Sequence, residues 1–76
     1  RGIGLKWHGN GTLQIKENWE NGRRHGTRKE WRDNGTLWEE INYVNGELHG
    51  TRKTWHEDGE LRVEENWENG ILIESK

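Results

Sequence analysis

An aromatic residue recurs at every twelfth position of this chain, at Trp7, Trp19, Trp31, Tyr43, Trp55 and Trp67. No other feature limits the fold as strongly. A turn accompanies each step, so about eight to ten residues remain for one extended strand, and a helix with its connections does not fit. The full period is twice that length. Residues 25–48 and 49–72 agree at 13 of 24 positions, and both open with His-Gly-Thr-Arg-Lys, at His25 and at His49. Residues 1–24 form a weaker copy, with 9 identities to 25–48. Arg1 stands where the later copies carry the histidine. One domain over 1–76 is expected, built from repeats 1–24, 25–48 and 49–72 with a tail at 73–76.

Turn chemistry divides each repeat in two. Asn-Gly or Asp-Gly dipeptides place turn glycines at Gly11, Gly22, Gly35, Gly46, Gly59 and Gly70. Such dipeptides favour hairpins because both residues tolerate positive φ. The expected fold is all-β: a repeat array of antiparallel hairpins forming one elongated, twisted sheet of about six strands.

Turn length decides which face each residue occupies. A three-residue loop at Asp33-Asn34-Gly35 pairs Trp31 with Leu37. It gathers Trp31, Leu37, Ile41 and Tyr43 on one apolar face. A tight turn at Asn45-Gly46 places Tyr43 opposite Leu48. It requires a bulge to keep Trp55 on that face, with Gly50 the natural site and Gly26 its counterpart. The 12-residue step then predicts a structural ladder of rings at roughly 5 Å on adjacent strands. The rings are expected to form the core, since the chain has no Phe, Met or Ala.

Composition narrows the function. Twelve Lys+Arg against 14 Asp+Glu leave a formal charge of -2, which argues against nucleic acid as a partner. Absence of cysteine removes disulfides, thiolate metal sites and thiol nucleophiles. No apolar run approaches a membrane span. Glu39-Glu40 and Glu64-Glu65 are strand neighbours that point to opposite faces, so neither pair converges on a substrate. Ser75 lies at the terminal fringe, away from any triad. His25 and His49 would be roughly 9.6 Å apart, too far to share a metal ion. They are expected to close a corner by donating to a backbone carbonyl. His8, Arg32 and His56 share one repeat position, which reads as exposed. No catalytic residue, metal or cofactor is expected, and the chain is not expected to be an enzyme.

The binding candidates are few. Trp38 lies off the aromatic ladder, aligned with Gln14 and Arg62, and is a candidate contact residue. Arg28, Lys29, Arg52 and Lys53 repeat and could form an anion patch for lipid headgroups or an acidic partner. The competing reading pairs Lys29 with Glu39 or Glu40, and Lys53 with Glu64, across strands.

The segment from Trp19 to Leu37, and again from Tyr43 to Leu61, reads aromatic-x-Asn-Gly-x-x-His-Gly followed by an aromatic and a second Asn/Asp-Gly-x-Leu. This motif resembles the MORN repeat. It is most similar to the variant of bacterial arrays, including antitoxins of the YwqK family. The resemblance implies a sheet extended by successive hairpins and used to bind proteins, and in some members anionic lipid headgroups. The expected role is a non-catalytic protein-interaction module, antitoxin-like in its most concrete form. Two alternatives stand beside it. The first is a structural subunit that self-associates by pairing its edge strands, which no proline blocks. The second is binding of phospholipid headgroups.

Overall fold

The computed structural model describes residues 2–76. Arg1, and with it the substitution of the first repeat's histidine, lies outside the described residues. The described chain is strand and turn throughout: β1 (Gly2–Trp7), β2 (Leu13–Glu20), β3 (Arg23–Arg24), β4 (Gly26–Trp31), β5 (Leu37–Val44), β6 (Glu47–Trp55), β7 (Leu61–Glu68) and β8 (Ile71–Ser75). All belong to one open antiparallel sheet in the order β1-β2-β4-β5-β6-β7-β8, with β3 a short arm paired to β2. The dimensions are 35 × 32 × 10 Å, one sheet layer thick. The eight strands exceed the expected six for two reasons. The stretch that is continuous as β6 is split at His25 into β3 and β4, and residues 73–75 are not a tail but part of β8.

Two turn types alternate. Asn21, Asn45 and Asn69 have φ of 53°, 50° and 50°, and the glycine after each is also positive. Positive φ at both central residues is the type I′ turn, whose twist matches that of paired strands. Between β4 and β5 the loop is the three-residue form. The Gly35 amide donates to Arg32 O at 2.9 Å, the Arg32 amide to Thr36 O at 2.8 Å, and Gly35 has φ 90°.

Each long hairpin carries one inserted residue beside its loop. Trp7, Trp31 and Trp55 pair with Leu13, Leu37 and Leu61, and the ladder then skips Gln14, Trp38 and Arg62. Such an insertion shifts the phase of one strand against its neighbour. On β4, Gly26, Arg28 and Glu30 pair with Tyr43, Ile41 and Glu39, so strand alternation turns Trp31 to the other face with Thr27 and Lys29. The expected single apolar face therefore does not form. Ile41 and Tyr43 lie on one face, and Trp31 with its partner Leu37 on the other.

The six aromatics likewise do not make one ladder. Trp19 pairs opposite Gly2 while Trp7 pairs opposite Leu13, so Trp7 and Trp19 are six residues apart along the sheet, about 20 Å. A meander reverses direction at every strand, so a 12-residue step lands at the opposite end. Two rows result: Trp7, Trp31 and Trp55 beside the three-residue loops, and Trp19, Tyr43 and Trp67 beside the type I′ turns.

Among the described residues only Ile41, Glu39 and Thr54 are buried, with Thr54 at 1 % exposure. The core is thus the middle of β5 and β6, where a single layer has neighbours on both sides.

Candidate interaction surface

The two faces are held by different chemistry. Across the first, charges alternate from strand to strand. Glu17 Oε2 accepts from Arg24 Nε at 3.0 Å and Arg28 Nε at 3.3 Å. Arg28 Nη1 lies 3.3 Å from Glu30 and 3.6 Å from Glu39. Arg52 donates to Glu39 at 2.9 Å and to Glu65 at 3.1 Å. Burial by itself raises the Glu17 carboxyl, but Arg24 and Arg28 outweigh it and hold the group below its ordinary 4.5. Burial lowers the Arg52 guanidinium, and its bonds to Glu65 and Glu39 reverse this, leaving it raised.

At the type I′ end of this face, Arg24 lies between two rings, 5.0 Å from the centroid of Trp19 and 5.8 Å from that of Tyr43. The same repeat position is Leu48, paired with Tyr43, and Leu72, paired with Trp67. The rings are spaced by one intervening side chain instead of touching.

The opposite face carries a row of amides and hydroxyls. Asn18 Nδ2 donates to Thr27 O at 3.0 Å, and the Thr27 hydroxyl to Asn42 Oδ1 at 2.7 Å. Asn42 Nδ2 donates to Thr51 O at 2.9 Å, and Asn66 Nδ2 to Glu74 at 3.0 Å. Beside it runs a row of charges. Lys16 pairs with Lys29, Lys29 with Glu40, and Lys53 with Glu40 and Glu64. Lys29 Nζ is 4.0 Å from Glu40.

Arg28, Lys29, Arg52 and Lys53 therefore do not form one patch. The arginines are on the ionic face, bound by carboxylates, and the lysines on the amide face, opposite glutamates. Trp38 is half-buried, with the Arg32 guanidinium 5.9 Å from its ring.

The histidines differ from expectation in role. His25 Nδ1 accepts from the Asn45 amide and His49 Nδ1 from the Asn69 amide, both at 3.3 Å. They receive an amide proton at the type I′ turn that closes their own repeat instead of donating to a carbonyl. His8 and Arg32 are half-buried, not exposed. His8 Nε2 lies 2.8 Å from Trp31 O, and Arg32 Nη2 donates to Trp55 O at 2.8 Å. Both join one repeat to the next, which explains how His and Arg share a position: each brings an N–H to the same kind of carbonyl.

Concavities are shallow. One groove of about 280 Å³ is lined by Gly2, Ile3, Asn18, Trp19, Glu20 and His25. Another, about 370 Å³, lies between Leu37 and Trp55, with Thr36 and Gly59. No cluster of three or more His, Cys, Asp or Glu with metal-binding geometry occurs among the described residues.

Apolar exposure is concentrated at the two edges of the sheet. Among the described residues, six of the eight exposed large apolar side chains belong to the outer strands: Ile3, Leu5 and Trp7 of β1, and Ile71, Leu72 and Ile73 of β8. Sequence reading singled out none of them as a binding residue. The expectation of unblocked edge strands covered them, but the concentration of exposed apolar side chains there is shown only by the folded sheet.

Residues 24–45 and 48–69 each match the family model of the MORN repeat variant. The chain belongs to this family. Each MORN unit spans one strand, a three-residue loop and the returning strand, β4–β5 and β6–β7. MORN repeats are non-catalytic modules that engage proteins or lipids. Comparison with curated proteins and with solved structures returns no match.

Proposed function

We propose that this MORN array is a module that binds protein partners along its open sheet edges. One observation carries the reading: six of the eight exposed large apolar residues among those described lie on β1 and β8, and both strands offer an unpaired backbone edge. An added strand would gain main-chain hydrogen bonds from the edge and specificity from Ile3, Leu5 and Trp7 or from Ile71, Leu72 and Ile73. Toxin neutralisation is a concrete form of this role, supported by the motif's resemblance to antitoxin-type arrays. Headgroup binding has less support, because Arg28 and Arg52 already bind Glu17, Glu39 and Glu65.

The test is capture of proteins from an extract of the source cells by the full chain and by Leu5→Lys, Ile73→Lys and Glu57→Lys. Loss of a captured protein in one or both edge variants, with retention in the loop variant Glu57→Lys, supports edge binding. Equal capture by all four forms refutes it.

A further inference from the structure

We infer that β1 recognises the β1 strand of a second copy of this chain, antiparallel about a two-fold axis at Leu5. The inference rests on the edge-binding reading and names the occupant of one edge.

Sidedness comes first. β1 alternates regularly, because the inserted residue at this hairpin is Gln14 on β2. Ile3, Leu5 and Trp7 therefore share the amide face, and Gly2, Gly4 and Lys6 the ionic face. Antiparallel self-pairing about Leu5 sets Leu5 against Leu5, Ile3 against Trp7 and Gly4 against Lys6. All the apolar side chains meet on one face, and no like charges stand opposite each other.

Charge gives the second argument. Arg52 and Arg28 occupy one repeat position in the ionic row, and the same position in β1 is Gly4. The row thus ends in the carboxylate of Glu17, which overhangs Gly4. A Cβ built on Gly4 would lie 3.2 Å from Glu17 Cγ. Lys6 of the second copy, opposite Gly4, brings a cation beside the position where the repeat otherwise carries arginine. The two-fold axis makes this contact twice.

Strand direction separates this pairing from a head-to-tail one. β1 and β8 run the same way in the meander. A copy added head to tail would pair β8 with β1 in parallel, the weaker geometry per residue. A two-fold contact uses one patch twice and closes at two copies. Two six-residue strands bury little area, so half-association is expected on the order of 100 μM.

Sedimentation velocity of the full chain tests this. The weight-average mass should rise with concentration from 9.1 kDa toward twice that value and stop there. Leu5→Lys should hold the chain monomeric with an unchanged circular dichroism spectrum, and Ile73→Lys should leave dimerisation intact. The chain has no cysteine, so mild oxidation of Leu5→Cys should give a disulfide-linked dimer much faster than that of Ile73→Cys. A monomer through 1 mM, growth beyond two copies, or dimerisation lost in Ile73→Lys but kept in Leu5→Lys would each overturn the inference. If the chain stays monomeric while the edge variants still lose a captured protein, the dimer falls and edge binding stands.

Discussion

Arg52 donates to Glu39 at 2.9 Å across the β5–β6 pair, and Glu39 is among the few buried residues of the sheet. The contact depends on an inversion in the middle repeat. β2 reads Ile15-x-Glu17 and β7 reads Val63-x-Glu65, but β5 reads Glu39-x-Ile41. Ile41 therefore sits directly between Arg28 and Arg52 in register, and Glu39 reaches both. A single-layer sheet cannot sandwich its apolar residues. It encloses Ile41 with the methylene stems of two arginines whose heads are tied down.

Arg52→Met should test that account. The stem is kept and the cation lost, leaving Glu39 and Glu65 each short of a partner. The expected cost is about 2 kcal/mol, or roughly 10 °C in Tm. Urea unfolding of the variant measures it, and a change below about 0.5 kcal/mol would place the ionic row among weak surface pairs.

Glu17 should make stability depend on acid. Its folded pKa lies below 4.5, so its contribution is fully present above 4.5 and is lost as the pH falls through the folded value. Wild type and Glu17→Gln should therefore differ in Tm at pH 7 and converge toward pH 3. Arg24→Leu, which installs the residue found at positions 48 and 72, should keep the ring spacing and move the Glu17 carboxyl upward. Side-chain carboxyl NMR titration reads that shift, and an unmoved Glu17 would remove Arg24 from the row.

Asn42 links three strands, accepting from Thr27 at 2.7 Å and donating to Thr51 O at 2.9 Å. Asn42→Ala should cost about 2 kcal/mol by leaving half-buried partners unpaired. Amide exchange should speed up in β4 and β6 together. Faster exchange confined to β5 would mean that the amide row does not couple the strands.

Gly50 has φ 100° at the bulge that lets β6 pass Asn42. A Cβ there would meet Asn42 at an ordinary 3.5 Å, so the strain of Gly50→Ala comes from the backbone, about 1–2 kcal/mol. Gly9→Ala, with nothing within 4 Å and no positive φ, should be neutral. Chemical denaturation of the pair separates backbone strain from a general intolerance of larger residues.

Much of the architecture was legible because it is local. Asn-Gly at residues 45 and 46 specifies a type I′ turn whatever surrounds it, and Gly35 admits the left-handed conformation that a three-residue loop needs. Trp38 was harder to read. Its alignment with Gln14 and Arg62 sets it off the ladder, and the reason is that all three are the inserted residues of their hairpins. One insertion reverses every later side chain relative to its neighbour strand, and no property of Trp38 itself announces it. The arginines were ambiguous for a similar reason. Arg28 and Lys29 are adjacent in sequence yet belong to opposite faces, and their carboxylate partners are 11 residues away at Glu17 and Glu40.

The sequence by itself determined the 24-residue repeat, a strand in each half of it, and the turn between them, because turn residues and strand length act over a few bonds. Only the tertiary structure decided that Trp7 and Trp19 lie at opposite ends of the sheet, that Arg28 and Arg52 bind carboxylates, and that Ile3, Leu5 and Trp7 share the amide face of their edge strand. Those outcomes depend on strand direction and register, which are set by hydrogen bonds between residues distant in the chain.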